Sequence, residues 1–207
     1  MNEFDQKARE WDKNRMHLDR TLAVAGQLQK MILLRPGMTA MEFGAGTGLL
    51  SFYLKDSFSE ITLMDNSREM LKMAEQKMDK NDHSKFRTVF LNLENEEYTG
   101  DTFDIIYSQM VLHHIQDVNA IFGKFFHLLK PGGIVAIADL YREDGSFHDG
   151  AMELHHGFDP DELKEIVVRQ GFHEYRIAPC FLMKKEVAAG NIKEYQVFLM
   201  TAKRPES

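Results

Sequence analysis

A chain of 207 residues, 43% of them hydrophobic, can bury one sizeable core and does not have the composition of a disordered segment. Its net charge of -7 speaks against a broad nucleic-acid surface, which needs clustered Lys and Arg, and the single cysteine, Cys180, excludes an internal disulfide and a thiolate-built zinc site. The charged N-terminus lacks the apolar core of a signal peptide and no apolar run reaches membrane-spanning length, so the expectation is a soluble, cytoplasmic protein with no membrane partner, monomeric or homodimeric.

From Phe4 to about Leu34 apolar residues recur at three- and four-residue spacings, which predicts amphipathic helix in two pieces, ended by Arg35-Pro-Gly37. The pattern then alternates. "TAMEF" and "EITLMD" read as buried strands, "GLLSFYLKDS" and "SREMLKMAEQKM" as helices, and "FRTVFLN" and "FDIIYSQ" as further strands. "NAIFGKFFHLLK" predicts a helix closed by "PGG", followed by the strand "IVAIADL". "DPDELKEIVVRQGF" is a helix with Asp159 as N-cap, Pro160 at its first position and Gly171 as its stop, and the final segments read as two antiparallel strands. Strands alternating with helices imply a doubly wound α/β fold: a mostly parallel sheet of about seven strands with an antiparallel strand at the C-terminal end. One domain is expected: a helical cap (1–35), a ligand-binding core (36–140), a substrate-side loop or lid (141–158) and a C-terminal helix with strands (159–207).

The ligand of such a sheet lies at the carboxyl ends of its strands. There stands "MEFGAGTG", whose glycines at 44, 46 and 48 permit positive φ and let a ligand approach bare main chain. A triphosphate-binding loop is excluded because no Lys follows before Lys55, and a dinucleotide fingerprint lacks its third glycine, Leu49 standing in its place.

Glu42-Phe43-Gly44-Ala45-Gly46-Thr47-Gly48 resembles the E/D-x-G-x-G-x-G motif of class I S-adenosylmethionine-dependent methyltransferases. Asp65, at the end of the second strand, resembles the acid that in this family holds both ribose hydroxyls, with Asn66 and Met70 beside it. Asn92, Leu93 and Glu94 match the adenine-contacting segment, although Asn stands where Asp is frequent. Ser108, Gln109 and Met110 fall in the family's fourth strand and its loop, and "LLKPGGIVAIADL" matches its fifth. The resemblance is ordered, spans about Phe4 to Thr201, and implies S-adenosyl-L-methionine as cofactor with no metal required.

Such an enzyme must position an acceptor, exclude water and, where the acceptor is protonated, take a proton. His113 and His114, after the fourth strand, are candidate general bases. Trp11 and Arg15 of the N-terminal cap, and Tyr141, His148, His155 and His156 of the long connection, are candidate substrate or lid residues. The Asn/Asp-Pro-Pro-Phe/Tyr motif of nucleic-acid base methylation is absent from "SQMVLHH", which leaves a small-molecule methyl acceptor as the expected partner. Two alternatives stay open: a non-catalytic module that binds the cofactor, and a nicotinamide-dependent oxidoreductase.

Overall fold

The computed structural model describes residues 3–80, 82–147, 155–187 and 191–207. Two helices open the chain, α1 (Glu3–Trp11) and α2 (Arg15–Met31), separated where the Asn14 side chain caps α2 by accepting from the Met16 N–H at 3.0 Å. Then follow β1 (Thr39–Phe43), α3 (Leu49–Leu54), β2 (Glu60–Asp65), α4 (Arg68–Lys77), β3 (Phe86–Phe90), β4 (Phe103–Gln109), α5 (Val118–Leu128), β5 (Leu129–Leu140), α6 (Pro160–Arg169), β6 (His173–Val187) and β7 (Asn191–Lys203). They form one seven-stranded sheet in the order β3-β2-β1-β4-β5-β7-β6. Every pairing from β3 to β5 is parallel, and β7 inserts antiparallel between β5 and β6.

Consecutive strand residues face opposite sides, and both sides are apolar. Ala40, Leu63 and Ile105 pack with α2, α3 and α4 on one face, while their neighbours Met41, Met64 and Ile106 pack with α5 and α6 on the other. The chain leaves β1 toward β2 and β3, then crosses back to β4. The switch point therefore opens at the carboxyl ends of β1 and β4, where the glycine turn and the two adjacent histidines meet.

The expected strand and helix order is found, with differences of extent: "FRTVFLN" leaves the sheet at Phe90 instead of Asn92, and two others follow. The "LKPGG" segment belongs to β5 instead of ending a helix, because Leu129 still pairs with Phe103 before the register jumps to Ile105 and Ile134. The final two strands also run longer than their alternating patterns, reaching Val187 and starting at Asn191. The cap of α6 is as expected: Asp159 accepts from the N–H groups of Asp161 at 2.9 Å and Glu162 at 3.3 Å.

Candidate active site

The turn after β1 holds its three glycines at positive φ, and two of them do different work. A Cβ on Gly44 would stand 2.4 Å from a Val111 methyl, so this glycine lets β1 and the loop after β4 close up. A Cβ on Gly46 would meet nothing nearer than the Met70 sulfur at 3.9 Å, because Gly46 faces an open cavity. The cavity floor is Glu42 to Thr47. One side is Asp65, Asn66 and Met70, another is Leu91 to Glu94, and the last is Gln109 to Val111 with His114 and Ile115.

Two acids shape it. Asp65 accepts from the Gly46 N–H at 2.7 Å and from the Ser67 N–H at 2.7 Å, so its carboxylate is turned onto the glycine turn itself. Burial raises its pKa above the usual carboxylate value, opposed by the N–H groups of Gly46, Ser67 and Asn66. Glu42 is almost fully buried and accepts from the Ser51 hydroxyl at 2.5 Å and its N–H at 3.2 Å, and that hydroxyl in turn meets the Tyr107 OH at 2.6 Å. Burial pushes the Glu42 carboxyl up to about 8.

Helix α1 lies across the opening, pinned on either side of the cavity. Asp5 accepts from the hydroxyl of Ser67 at 2.6 Å, and Asp12, just past the helix, accepts from that of Thr47 at 2.5 Å and pairs with Lys77 at 2.7 Å. Phe4 and Trp11 from this cap line the cavity. Beyond them is a second hollow that shares Phe4, Trp11, Arg20, Met110 and His114 with the first and continues to His17, His113, Phe147 and Lys185. His113 is buried. Its Nδ1 lies 2.6 Å from Asp139 Oδ1, and its ring is 4.1 Å from that of His114. Burial would raise the Asp139 carboxyl, but the His113 ring and the N–H groups of Leu140 and His113 outweigh it, and its pKa lies below the usual value.

Of the residues singled out in the sequence, Gly48 and Ser108 do not line the cavity: Gly48 precedes α3, and the Ser108 hydroxyl donates to the Phe43 carbonyl at 2.8 Å, bracing β4 against β1. Asn92 lines it, yet its Oδ1 already accepts from the Glu94 N–H at 3.0 Å and so holds its own turn. Arg15 lies outside both hollows, its side chain 91% exposed and 3.7 Å from Asp19. Tyr141 packs on Phe198, and His155 Nε2 meets the Ile115 carbonyl at 3.0 Å. With His156, His155 lines a separate surface depression. His148 falls outside the described residues.

Sequence reasoning missed Arg20 and Asp139. Arg20 is 4% exposed, and burial lowers its pKa to about 10 against the opposing charge of Asp139. Its spacing from Val24 and Leu28 puts a guanidinium on the buried stripe of α2, a signal present in the sequence. Two buried polar side-chain atoms among the described residues have no hydrogen-bond partner, Arg20 Nε and Gln109 Oε1, and both residues line the cavity. A donor and an acceptor left unpaired at one wall suit a ligand with both a carboxylate and an ammonium group.

Residues 41–135 match the family model described as a methyltransferase domain. That match supports a class I S-adenosylmethionine-dependent methyltransferase domain in this segment. An uncharacterized methyltransferase of Schizosaccharomyces pombe is 32% identical over 141 residues, covering 65% of this chain and 47% of that protein. The wheat (Triticum aestivum) phosphoethanolamine N-methyltransferase 1 is 32% identical over 148 residues, covering 68% of this chain and 29% of its own length. The chain thus spans less than half the length of these relatives. The fold matches, with a TM-score of 0.77 and 18% identity over 99% of both chains, a methyltransferase solved in complex with the Haloferax volcanii Trm112 methyltransferase activator. Among the described residues no helix is long and apolar enough to cross a membrane.

Proposed function

We propose that this chain transfers the methyl group of S-adenosylmethionine to a small-molecule acceptor. The observation that carries this is the junction of the two hollows, where a wall shared by Phe4, Trp11, Arg20, Met110 and His114 lets a second small molecule reach the first. The similarity to a phosphoethanolamine N-methyltransferase supports an acceptor of that size.

The residues present fit the cofactor. Asp65, which already accepts from main-chain N–H groups of the glycine turn and of its own loop, would take a ribose hydroxyl on its remaining acceptor capacity; Arg20 would take the methionyl carboxylate, and Gln109 with Glu42 the ammonium. The bare main chain at Gly46 admits the ligand, and Leu93 with Met70 gives apolar walls to the adenine. When bound, the cofactor supplies a methyl group already made electrophilic by its sulfonium.

What the protein adds is position, exclusion of water and a proton acceptor. The Asp139 carboxylate accepts from His113 Nδ1–H, which leaves the lone pair on Nε2 and stabilises the imidazolium formed when an acceptor gives up its proton. His114, at the junction and edge-on to Phe4 of the cap with ring centroids 5.5 Å apart, orients the acceptor.

Calorimetric titration with S-adenosylhomocysteine tests the cofactor half of this reading. Asp65→Ala, which removes charge-assisted hydrogen bonds, and Gly46→Val, which fills the cavity and opposes positive φ, are each expected to weaken binding about tenfold or more. Unchanged affinity in both, with circular dichroism showing a retained fold, defeats it.

A further inference from the structure

Behind the floor of the cavity a line of three buried side chains ends at Glu42. Glu42 and Tyr107 are register partners on β1 and β4, so both leave the sheet on the face covered by α2 and α3, and Ser51 of α3 stands between them. Tyr107 and Ser51 are fully buried, and the Tyr107 ring stacks on Phe58 with centroids 5.9 Å apart. Among the described residues the Tyr107 hydroxyl has one hydrogen-bond partner, Ser51 Oγ at 2.6 Å. Burial, and then the Glu42 charge, hold the phenol proton in place. A buried O–H without an acceptor is costly, so Tyr107 donates to Ser51. The single hydroxyl proton of Ser51 is then directed to Glu42 Oε2 at 2.5 Å, where the Ser51 N–H also donates at 3.2 Å. The chain therefore runs one way, from Tyr107 through Ser51 to Glu42.

That polarity divides the carboxyl. Two donors keep Oε2 an acceptor, so a proton on Glu42 sits on Oε1, which no donor among the described residues reaches and which is left to the cavity that Glu42 lines. An Oε1–H group meets an ammonium donor against donor, whereas a bare carboxylate oxygen accepts from it with charge assistance. We infer that Tyr107 and Ser51 are positioning residues for recognition of the cofactor's ammonium group, a one-way donor chain that favours ionised Glu42 and leaves its Oε1 to the ligand. This rests on the cofactor reading above and adds to it two residues that do not themselves line the cavity. The other charges near Glu42 are Lys77 of α4, which favours its ionisation, and Asp65 at the end of β2, which opposes it; Arg20 of α2 lines the same cavity. These three bond elsewhere, to Asp12, to the Gly46 N–H and to the Met183 sulfur, so deleting the Tyr107 hydroxyl leaves their contacts intact.

Tyr107→Phe deletes one oxygen and keeps the ring against Phe58. Calorimetry should show S-adenosylhomocysteine binding about fivefold more weakly at pH 7, the size expected for one net hydrogen bond, and close to native affinity by about pH 9.5. Once Glu42 is ionised in free and bound protein alike, the hydroxyl acts equally on both and its effect cancels, while titration of the ligand's own amine is common to both proteins. 5′-Methylthioadenosine, which has the nucleoside and sulfur but no amine, should bind the two proteins equally at every pH. Ser51→Ala should weaken S-adenosylhomocysteine more than Tyr107→Phe at pH 7 and also lower the urea midpoint, since it strands the Tyr107 proton; adding Tyr107→Phe to it should recover part of the midpoint and none of the affinity. A loss of equal size at both pH values, or one shared by 5′-methylthioadenosine, makes Tyr107 a packing residue and overturns the inference. In the ligand-free protein the ¹³C carboxyl resonance of Glu42, assigned with Glu42→Gln, should titrate at higher pH in Tyr107→Phe than in the native chain. An unmoved midpoint overturns the relay whether or not S-adenosylhomocysteine binds, whereas failure of the native protein to bind it at any pH defeats the cofactor reading.

Discussion

Asp139→Asn is expected to lower kcat for methyl transfer to a protonated acceptor by about a hundredfold, with S-adenosylhomocysteine affinity nearly unchanged. The carboxylate touches neither hollow, and its effect passes through His113. An amide in its place has an NH₂ group that can face the imidazole, favouring the tautomer with the lone pair on Nδ1, and it cannot offset the charge of an imidazolium. His113→Asn should cost a similar factor, and the double variant little more than either alone, since the two act as a unit. His114→Asn should instead act mainly on KM. Imidazole ¹⁵N spectra would read the tautomer without any acceptor. Should Asp139→Asn leave both the tautomer and kcat unaltered, the pair serves packing alone.

The second expectation concerns Glu42. Its carboxyl titrates near 4.5 in the unfolded chain and at about 8 when folded, so between these values the folded protein holds a proton that the unfolded chain has released. The unfolded state then binds fewer protons and stability falls as pH rises: the contribution is complete below pH 4.5 and is lost toward pH 8, at up to about 1.4 kcal/mol per pH unit. Urea midpoints of the cofactor-free protein from pH 5 to 8 measure this. Glu42→Gln keeps the neutral hydrogen-bonding shape and should flatten the slope relative to the native chain. Parallel slopes for the two proteins would show that Glu42 is ionised throughout. Cofactor binding near neutral pH should release protons, because a bound ammonium favours the ionised carboxylate, and Glu42→Gln should abolish that release.

Much of this was legible in the residues, and the reasons differ from one element to the next. The strands "TAMEF", "EITLMD" and "FDIIYSQ" are short buried runs that nothing else in the fold contradicts, and the structure starts and ends them at the same residues. The glycine turn was legible because positive φ has few other solutions. Less could be seen where a role depends on a distant partner. His113 and Asp139 are 26 residues apart, and no local pattern says that β4 and β5 bring them to 2.6 Å. Asn92 illustrates the converse, since a side chain matched to a ligand-contacting position is also held to the Glu94 backbone two residues on. Arg15 and Arg20 lie on the same helix, but the register of α2 against the sheet sends one to solvent and the other into the interior.

The fastening of α1 has a kinetic consequence. Asp5 and Asp12 grip the hydroxyls of Ser67 and Thr47, in the two loops that border the cavity, so door and floor share their hinges. If the cofactor binds beneath this nine-residue helix, its peeling away is expected to speed product release, so that the tempo of the catalytic cycle follows local fraying at α1 as well as bond making in the cleft.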